Sequence, residues 1–80
     1  MNTLNKLVLA NTSGNSIKLI LEPWAEEYEI ENGMKIEIHA SDPNDSSIEI
    51  EYEKENIIVY GWADSMTVLC EGKKLEPDFD

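Results

Sequence analysis

The stretch MKIEIHA, residues 34–40, alternates apolar and polar side chains, and SIEIEYE, residues 47–53, repeats the alternation. A period of two residues is typical of a β-strand with one face on the core and the other in water. Between the two stretches, SDPNDSS has the composition of a loop, because Asp, Asn and Ser side chains bond to their own backbone and Pro43 fixes one dihedral angle. The pattern therefore predicts a hairpin made of these two strands.

Two further hairpins are predicted from turn signals. The first joins NKLVLAN to SIKLILEP through TSGN, residues 12–15, where Gly14 can adopt a positive φ. The other joins NIIVYGW to MTVLCEG through the short connection ADS. Three runs are apolar on both faces and are expected to form central strands, since strands covered on both sides lose the alternation: residues 7–9, 19–21 and 57–60.

The segment AEEYEIENGMK, residues 25–35, has two interpretations. Pro23 could begin a helical turn with glutamates in its first turn. Tyr28 and Ile30, however, alternate with acids, and Asn32-Gly33 is a strong hairpin signal, so we predict a short strand. The chain then reads as one all-β domain, a small antiparallel β-sandwich or barrel of about six to eight short strands, with a flexible acidic tail over residues 75–80.

Charge limits the partners that the chain can bind. Seventeen acidic residues against six lysines give a net charge of −11, which repels nucleic acid and anionic membranes and favours a basic protein. Cys70 is the single cysteine and cannot form an internal disulfide, and the first fifteen residues have no apolar run typical of a signal peptide. We expect a cytoplasmic monomer or homodimer.

One set of short motifs resembles a known group of proteins. Glu22-Pro23-Trp24 is followed by Tyr28, by Gly33 before an alternating strand, by VYGW at residues 59–62, and by Gly72. Over residues 17–75 this pattern is similar to short uncharacterised bacterial proteins that share an E-P-W motif, although IENG stands where a Pro-Gly turn is expected. The resemblance implies an all-β fold and carries no assigned function.

Candidate catalytic and metal sites are weak. Asp42, Asn44, Ser46 and Glu53 fit part of a calcium-loop template, but Ser47 stands where the loop requires glycine, so a plain turn is expected. His39 is the only histidine, without zinc-ligand companions, and should lie beside the glutamates of residues 48–53. Cys70 follows Met66 and Val68 at a period of two and should face the core, where a thiol is inert. We therefore expect no enzyme, cofactor or metal.

The glutamates and aromatic residues carry the remaining functional hypotheses. If the strands 34–40 and 47–53 pair, they form an acidic face that is either a platform for a basic partner or a solvated face that protects an edge strand. The aromatic residues either fill the core or form a ligand patch, with Trp24 folded back onto the core; an exposed cluster of Ile20, Ile58 and Tyr60 would favour an interface. The four glutamates are Glu37, Glu49, Glu51 and Glu53, and the four aromatic residues are Trp24, Tyr28, Tyr60 and Trp62.

These features favour a non-enzymatic acidic interaction module that binds a basic protein, in the manner of an inhibitor or immunity protein. In this hypothesis the four glutamates steer association, and Tyr60 and Trp62 anchor the partner. The alternative is a protein that binds a small ligand such as a carbohydrate, with Trp24 and Tyr28 as stacking surfaces.

Overall fold

The protein is a small β-sandwich of two four-stranded sheets, described by a computed structural model over residues 5–43 and 47–78. Sheet A has the strand order β1-β4-β7-β8 and sheet B the order β3-β2-β6-β5. Every neighbouring pair is antiparallel except β2 and β6, which run parallel. The strands are β1 Lys6–Ala10, β2 Ile17–Glu22, β3 Glu26–Ile30, β4 Lys35–Pro43, β5 Glu49–Glu53, β6 Asn56–Tyr60, β7 Ala63–Cys70 and β8 Lys73–Lys74.

The all-β sandwich predicted from the alternation is confirmed, including the strand over residues 26–30 that competed with a helical turn. The core lies between the sheets because each strand turns its apolar positions inward. In the described part of the chain, no helix is long and apolar enough to span a membrane. The largest fully buried side chains are Leu19, Leu21, Ile36, Ile38, Val59, Trp62 and Val68.

The predicted hairpins are wrong, although their strands exist. β1 pairs with β4, where Leu7 lies opposite Ile38, and not with β2. Likewise β3 and β4, β4 and β5, and β6 and β7 each lie in different sheets, so these strands do not form hairpins. The hairpins that do form are β2–β3, β5–β6 and β7–β8. Period-two alternation specifies an inward face but does not specify which sheet a strand joins.

The position of β1 in its sheet is a second correction. The runs at residues 19–21 and 57–60 belong to the central strands β2 and β6, as predicted. β1, by contrast, is an edge strand, and Val8 on its outer side is 48% exposed. In β1, therefore, apolar residues on both faces do not indicate a strand that is covered on both sides.

Asn11 fixes the corner where the chain leaves sheet A for sheet B. Asn11 is polar yet only 3% exposed, and its side-chain amide donates to the carbonyl oxygens of Asn15 at 2.7 Å and Ile30 at 2.9 Å. Its Oδ1 accepts from the Ser13 backbone N–H at 3.0 Å and the Ser13 hydroxyl at 2.7 Å. Because every polar atom has a partner, the burial of this amide is tolerated. The segment TSGN is thus part of a crossing between sheets and not a hairpin turn.

Within the predicted tail, Leu75 and Asp78 are hydrogen-bonded to the sandwich. Leu75 packs against the core, and its backbone N–H donates to the Val68 carbonyl at 2.8 Å. The Asp78 N–H donates to the Glu27 carbonyl at 2.7 Å, and the Asp78 carboxylate accepts from the Glu29 N–H at 3.1 Å. This segment therefore covers part of the outer edge of β3. The last two residues of the predicted tail lie outside the described residues.

Candidate functional site: the acidic face of sheet B

The outer side of sheet B gathers glutamates from three of its four strands, β2, β3 and β5. Alternation turns Leu19 of β2 and Val59 of β6 inward, so the residues between inward positions on each strand point outward. The register places six glutamates on this outer side, with Lys18 as its one basic residue. We name this surface the acidic face; its residues are Lys18, Ile20, Glu22, Glu27, Glu29, Glu49, Glu51, Glu53, Asn56, Ile58 and Tyr60.

The centre of the acidic face is apolar. Ile20 lies opposite Ile58 across the parallel β2–β6 pair, and Glu22 lies opposite Tyr60 one step further along. Ile20, Ile58 and Tyr60 are each partly exposed, as an apolar cluster at an interface would be. Across the sheet, Ile20 is flanked by Glu27 of β3. An apolar centre inside a charged rim is the usual anatomy of a protein–protein interface.

Hydrogen bonds order part of this surface. The Tyr60 hydroxyl donates to Glu51 Oε1 at 2.8 Å, and Lys18 Nζ lies 3.2 Å from Glu27 Oε1. The hydrogen bond to Glu51, with smaller contributions from desolvation and from nearby carboxylates, raises the pKa of the Tyr60 phenol above 10.0. Tyr60 is thus a neutral donor at pH 7. The Lys18–Glu27 pair is half-exposed and contributes little stability.

A depression of about 540 Å³ opens at the β2–β3 side of the face. Lys18, Glu27, Glu29 and Asp78 contribute to its lining, so it is predominantly acidic. Its size is sufficient for a long side chain from a partner. A basic side chain would suit the charge of this depression best.

Glu37 does not belong to the acidic face, contrary to the predicted pairing of residues 34–40 with 47–53. It lies on β4, on the outer side of sheet A, opposite Val8 and Leu69. His39 is correspondingly not a neighbour of the β5 glutamates; its Nε2 lies 2.8 Å from Glu37 Oε1. That hydrogen bond is the main reason that the pKa of Glu37 falls below 4.5.

The outer side of sheet A has the opposite charge character. Its lysines, Lys6, Lys35 and Lys74, lie on β1, β4 and β8, and Glu37 lies among them. The charge of the protein is therefore divided between two faces, and the acidity is concentrated on sheet B.

Two of the four aromatic side chains that were predicted to contact a partner or ligand are buried. Trp62, expected to anchor a partner, is 1% exposed, and Tyr28, expected to stack on a ligand, is 4% exposed. The Tyr28 hydroxyl donates to Glu26 Oε1 at 3.1 Å, and burial together with this carboxylate raises the pKa of its phenol. Both rings are core residues, so the predicted aromatic ligand patch is reduced to Trp24 and Tyr60.

Trp24, predicted to fold back onto the core, is one of the exposed large apolar side chains, and its ring packs over a glycine. Its ring lies where a Cβ at Gly61 would stand, 2.5 Å from the position of that carbon. Gly61 also donates its N–H to the Glu22 carbonyl at 2.7 Å, and Ala25 donates its N–H to Glu22 Oε1 at 3.1 Å. The ring remains 38% exposed, at the end of β2 and β6 next to the acidic face.

The other candidate centres do not assemble in the described residues. Cys70 lies opposite Ile36, on the inner side of sheet A, whereas His39 lies on the outer side, so the two cannot form a nucleophile pair. No group of three His, Cys, Asp or Glu side chains converges in a way that would hold a metal ion in this part of the chain. Two residues of the calcium-loop template, Asn44 and Ser46, fall outside the described residues.

Comparisons with known proteins find no match to this chain. No protein-family model, no curated protein and no solved structure matches the chain. The resemblance to bacterial E-P-W proteins therefore stays a prediction.

Proposed function

We propose that this protein is a non-enzymatic interaction module that binds a basic protein through the acidic face of sheet B. The observation that carries the proposal is the placement of six glutamates and one lysine around Ile20, Ile58 and Tyr60 on one side of the molecule. The glutamates accelerate association with a positively charged surface, and the apolar centre supplies the contact that holds it. A cytoplasmic inhibitor or immunity protein for a basic partner is the biological role that we infer.

The proposed function also explains why repulsion between glutamates is tolerated on the acidic face. Like charges held close together repel one another, and Glu49, Glu51 and Glu53 all lie on one side of β5. A basic partner would remove that repulsion on binding, and the divided charge of the molecule would orient the two proteins before contact. Binding to a basic protein thus accounts for both the sign and the position of these charges.

A pair of matched charge reversals tests the proposal. The face variant is Glu49→Lys with Glu51→Lys, and the control is Glu31→Lys with Glu76→Lys, two exposed glutamates outside the acidic face. Each double variant changes the net charge of −11 by the same amount. Association rates are measured by stopped-flow against a panel of small purified basic proteins at several ionic strengths.

The face variant should slow association about tenfold or more at low salt, whereas the control should change it less than about twofold. The difference should shrink as salt is added. If both variants slow association equally, net charge alone governs binding and the acidic face is not an interface.

A further inference from the structure

β5 forms an edge of sheet B with no strand beside it in the described part of the chain. All five of its residues, Glu49 to Glu53, are exposed. The opposite edge of the same sheet, β3, is partly covered by the segment that ends at Asp78. An uncovered edge strand offers a row of backbone donors and acceptors to another chain.

The direction of the backbone groups along β5 follows from its neighbours. Lys18 N–H donates at 2.9 Å to the carbonyl of Glu55, which directly precedes β6, so the odd-numbered residues of β6 direct their backbone groups towards β2. The even-numbered residues of β6 consequently bond to β5, where Asn56 and Ile58 lie opposite Glu53 and Glu51. By the same alternation, Ile50 and Tyr52 direct their N–H and C=O groups to the open edge.

The side chains of β5 alternate in character as well. Glu49, Glu51 and Glu53 belong to the acidic face, whereas Ile50 and Tyr52 lie on the inner side, opposite Val59 and Ile57. An inward position on a sandwich strand is normally covered, yet Ile50 is 47% exposed and Tyr52 is 69% exposed. The inner side of β5 is therefore an uncovered apolar ledge.

A groove of about 210 Å³ continues this ledge towards the end of β1. Tyr52, Ile17 and Ile57 contribute to its lining, together with residues 10–13. An apolar side chain that enters between the sheets beside Ile50 and Tyr52 would meet this groove. The edge thus presents three different surfaces in parallel: glutamates outside, backbone groups along the edge, and apolar side chains inside.

We propose that the basic partner binds as an added β-strand along β5, and that its binding segment alternates lysine or arginine with β-branched apolar residues. The basic side chains pair with Glu49, Glu51 and Glu53, and the apolar ones pack on Ile50 and Tyr52. The inference rests on the proposed function and specifies its geometry. A second copy of this protein does not fit the same edge, because β5 beside β5 would bring glutamates opposite glutamates.

The test uses an end-blocked peptide of seven residues that alternates lysine and valine, and a control peptide of the same charge that alternates lysine and proline. The control cannot pair along a strand because proline has no N–H. Binding is measured by two-dimensional ¹H–¹⁵N NMR at low ionic strength, and exchange of the Ile50 and Tyr52 amide hydrogens is followed with and without peptide. We expect the lysine–valine peptide to bind about tenfold more tightly and to protect these two amides.

A pair of variants tests the apolar side of the edge. Ile50→Thr keeps the strand propensity of β5 and should weaken binding of the lysine–valine peptide about threefold or more. Val8→Thr changes a residue of nearly equal exposure, 48% against 47%, on β1, an edge strand of sheet A, and should leave binding unchanged.

The outcomes separate this inference from the function on which it rests. If both peptides bind equally and shift the signals of the acidic face without protecting Ile50 and Tyr52, strand addition is wrong while binding to basic chains stands. If neither peptide binds at low salt, both proposals fail. Protection at β1 instead of β5 would also overturn the inference.

Discussion

The contact between Trp24 and Gly61 gives the sharpest test of how this sequence is packed. An alanine Cβ at position 61 would lie 2.5 Å from Trp24 Cη2 and 2.7 Å from Cζ3, so the ring must move in a Gly61→Ala variant. The Glu22 carbonyl oxygen, at 3.1 Å from the same Cβ, cannot retreat without lengthening its hydrogen bond from the Gly61 N–H.

The magnitude follows from the surface that the ring would lose. Trp24 is 38% exposed, so its covered part amounts to roughly 150 Å². Complete expulsion of that area would cost about 3 to 4 kcal/mol at about 25 cal/mol per Å². Because the ring can slide rather than leave entirely, we expect Gly61→Ala to lower the free energy of unfolding by about 1 to 3 kcal/mol, less the gain of about 0.4 to 1 kcal/mol that alanine brings by restricting the unfolded chain.

A double-mutant cycle isolates the contact. In a Trp24→Ala background, the two closest contacts of the alanine at position 61 are gone, so its effect should fall to near zero or become slightly stabilising. The measurement is urea denaturation of the four proteins, followed by circular dichroism because one tryptophan is removed. If Gly61→Ala costs the same in both backgrounds, the ring does not occupy the space at Gly61 and the reasoning is wrong.

Three further predictions concern charge and titration. Raising salt from about 10 to 150 mM should raise the melting temperature, since screening weakens the repulsion within a chain of net charge −11, and an unchanged or lower value would contradict this. The hydrogen bond with His39 holds the pKa of Glu37 below 4.5, so the stability that Glu37 contributes is present above that pH and is lost as pH falls through the folded-state pKa. The difference in melting temperature between the protein and its Glu37→Gln variant should therefore shrink from about pH 5.5 to about pH 3. A constant difference would disprove this role of Glu37. The pKa of Tyr60 lies above 10.0 mainly because of its hydrogen bond with Glu51, so the stability that Tyr60 contributes is present below pH 10.0 and is lost as pH rises further. Glu51→Gln should move the ultraviolet titration of Tyr60 to lower pH, with Tyr60→Phe as the control that identifies its signal. An unmoved titration would refute the role of this hydrogen bond.

The sequence predicts the strands well and their partners poorly, and the turns show why. Gly14 and Asn32-Gly33 carry strong turn signals, yet both lie in connections that cross between the sheets. The real hairpins β2–β3 and β5–β6 turn at Ala25 and Lys54, which adopt φ angles of 58° and 52° although neither residue type favours them. Turn-forming residues therefore indicated the wrong connections, and the strand pairings predicted from them are wrong.

The candidate site could be predicted only in part, because the pairing of the strands could not be predicted. Alternation correctly turns Glu49, Glu51 and Glu53 to one side of a single strand. Glu22, Glu27 and Glu29 join them only through the order β3-β2-β6-β5, which no local pattern contains. Trp62 follows Tyr60 at a period of two and would share its face on a continuous strand, but β6 ends at Tyr60 and the chain then turns inward to begin β7.

The parallel pair β2–β6 has a consequence for how the molecule folds. Sheet B consists of two hairpins, β2–β3 and β5–β6, each closed by a short turn, which meet along the β2–β6 pair, where Leu19 lies beside Ile57. The hairpins can form on a microsecond timescale, but closing the loop of nearly forty residues between these two positions costs about 3 kcal/mol of chain entropy. Docking of one hairpin on the other is therefore the expected rate-limiting step, and until it occurs the apolar centre of the future acidic face exists only as two separate halves.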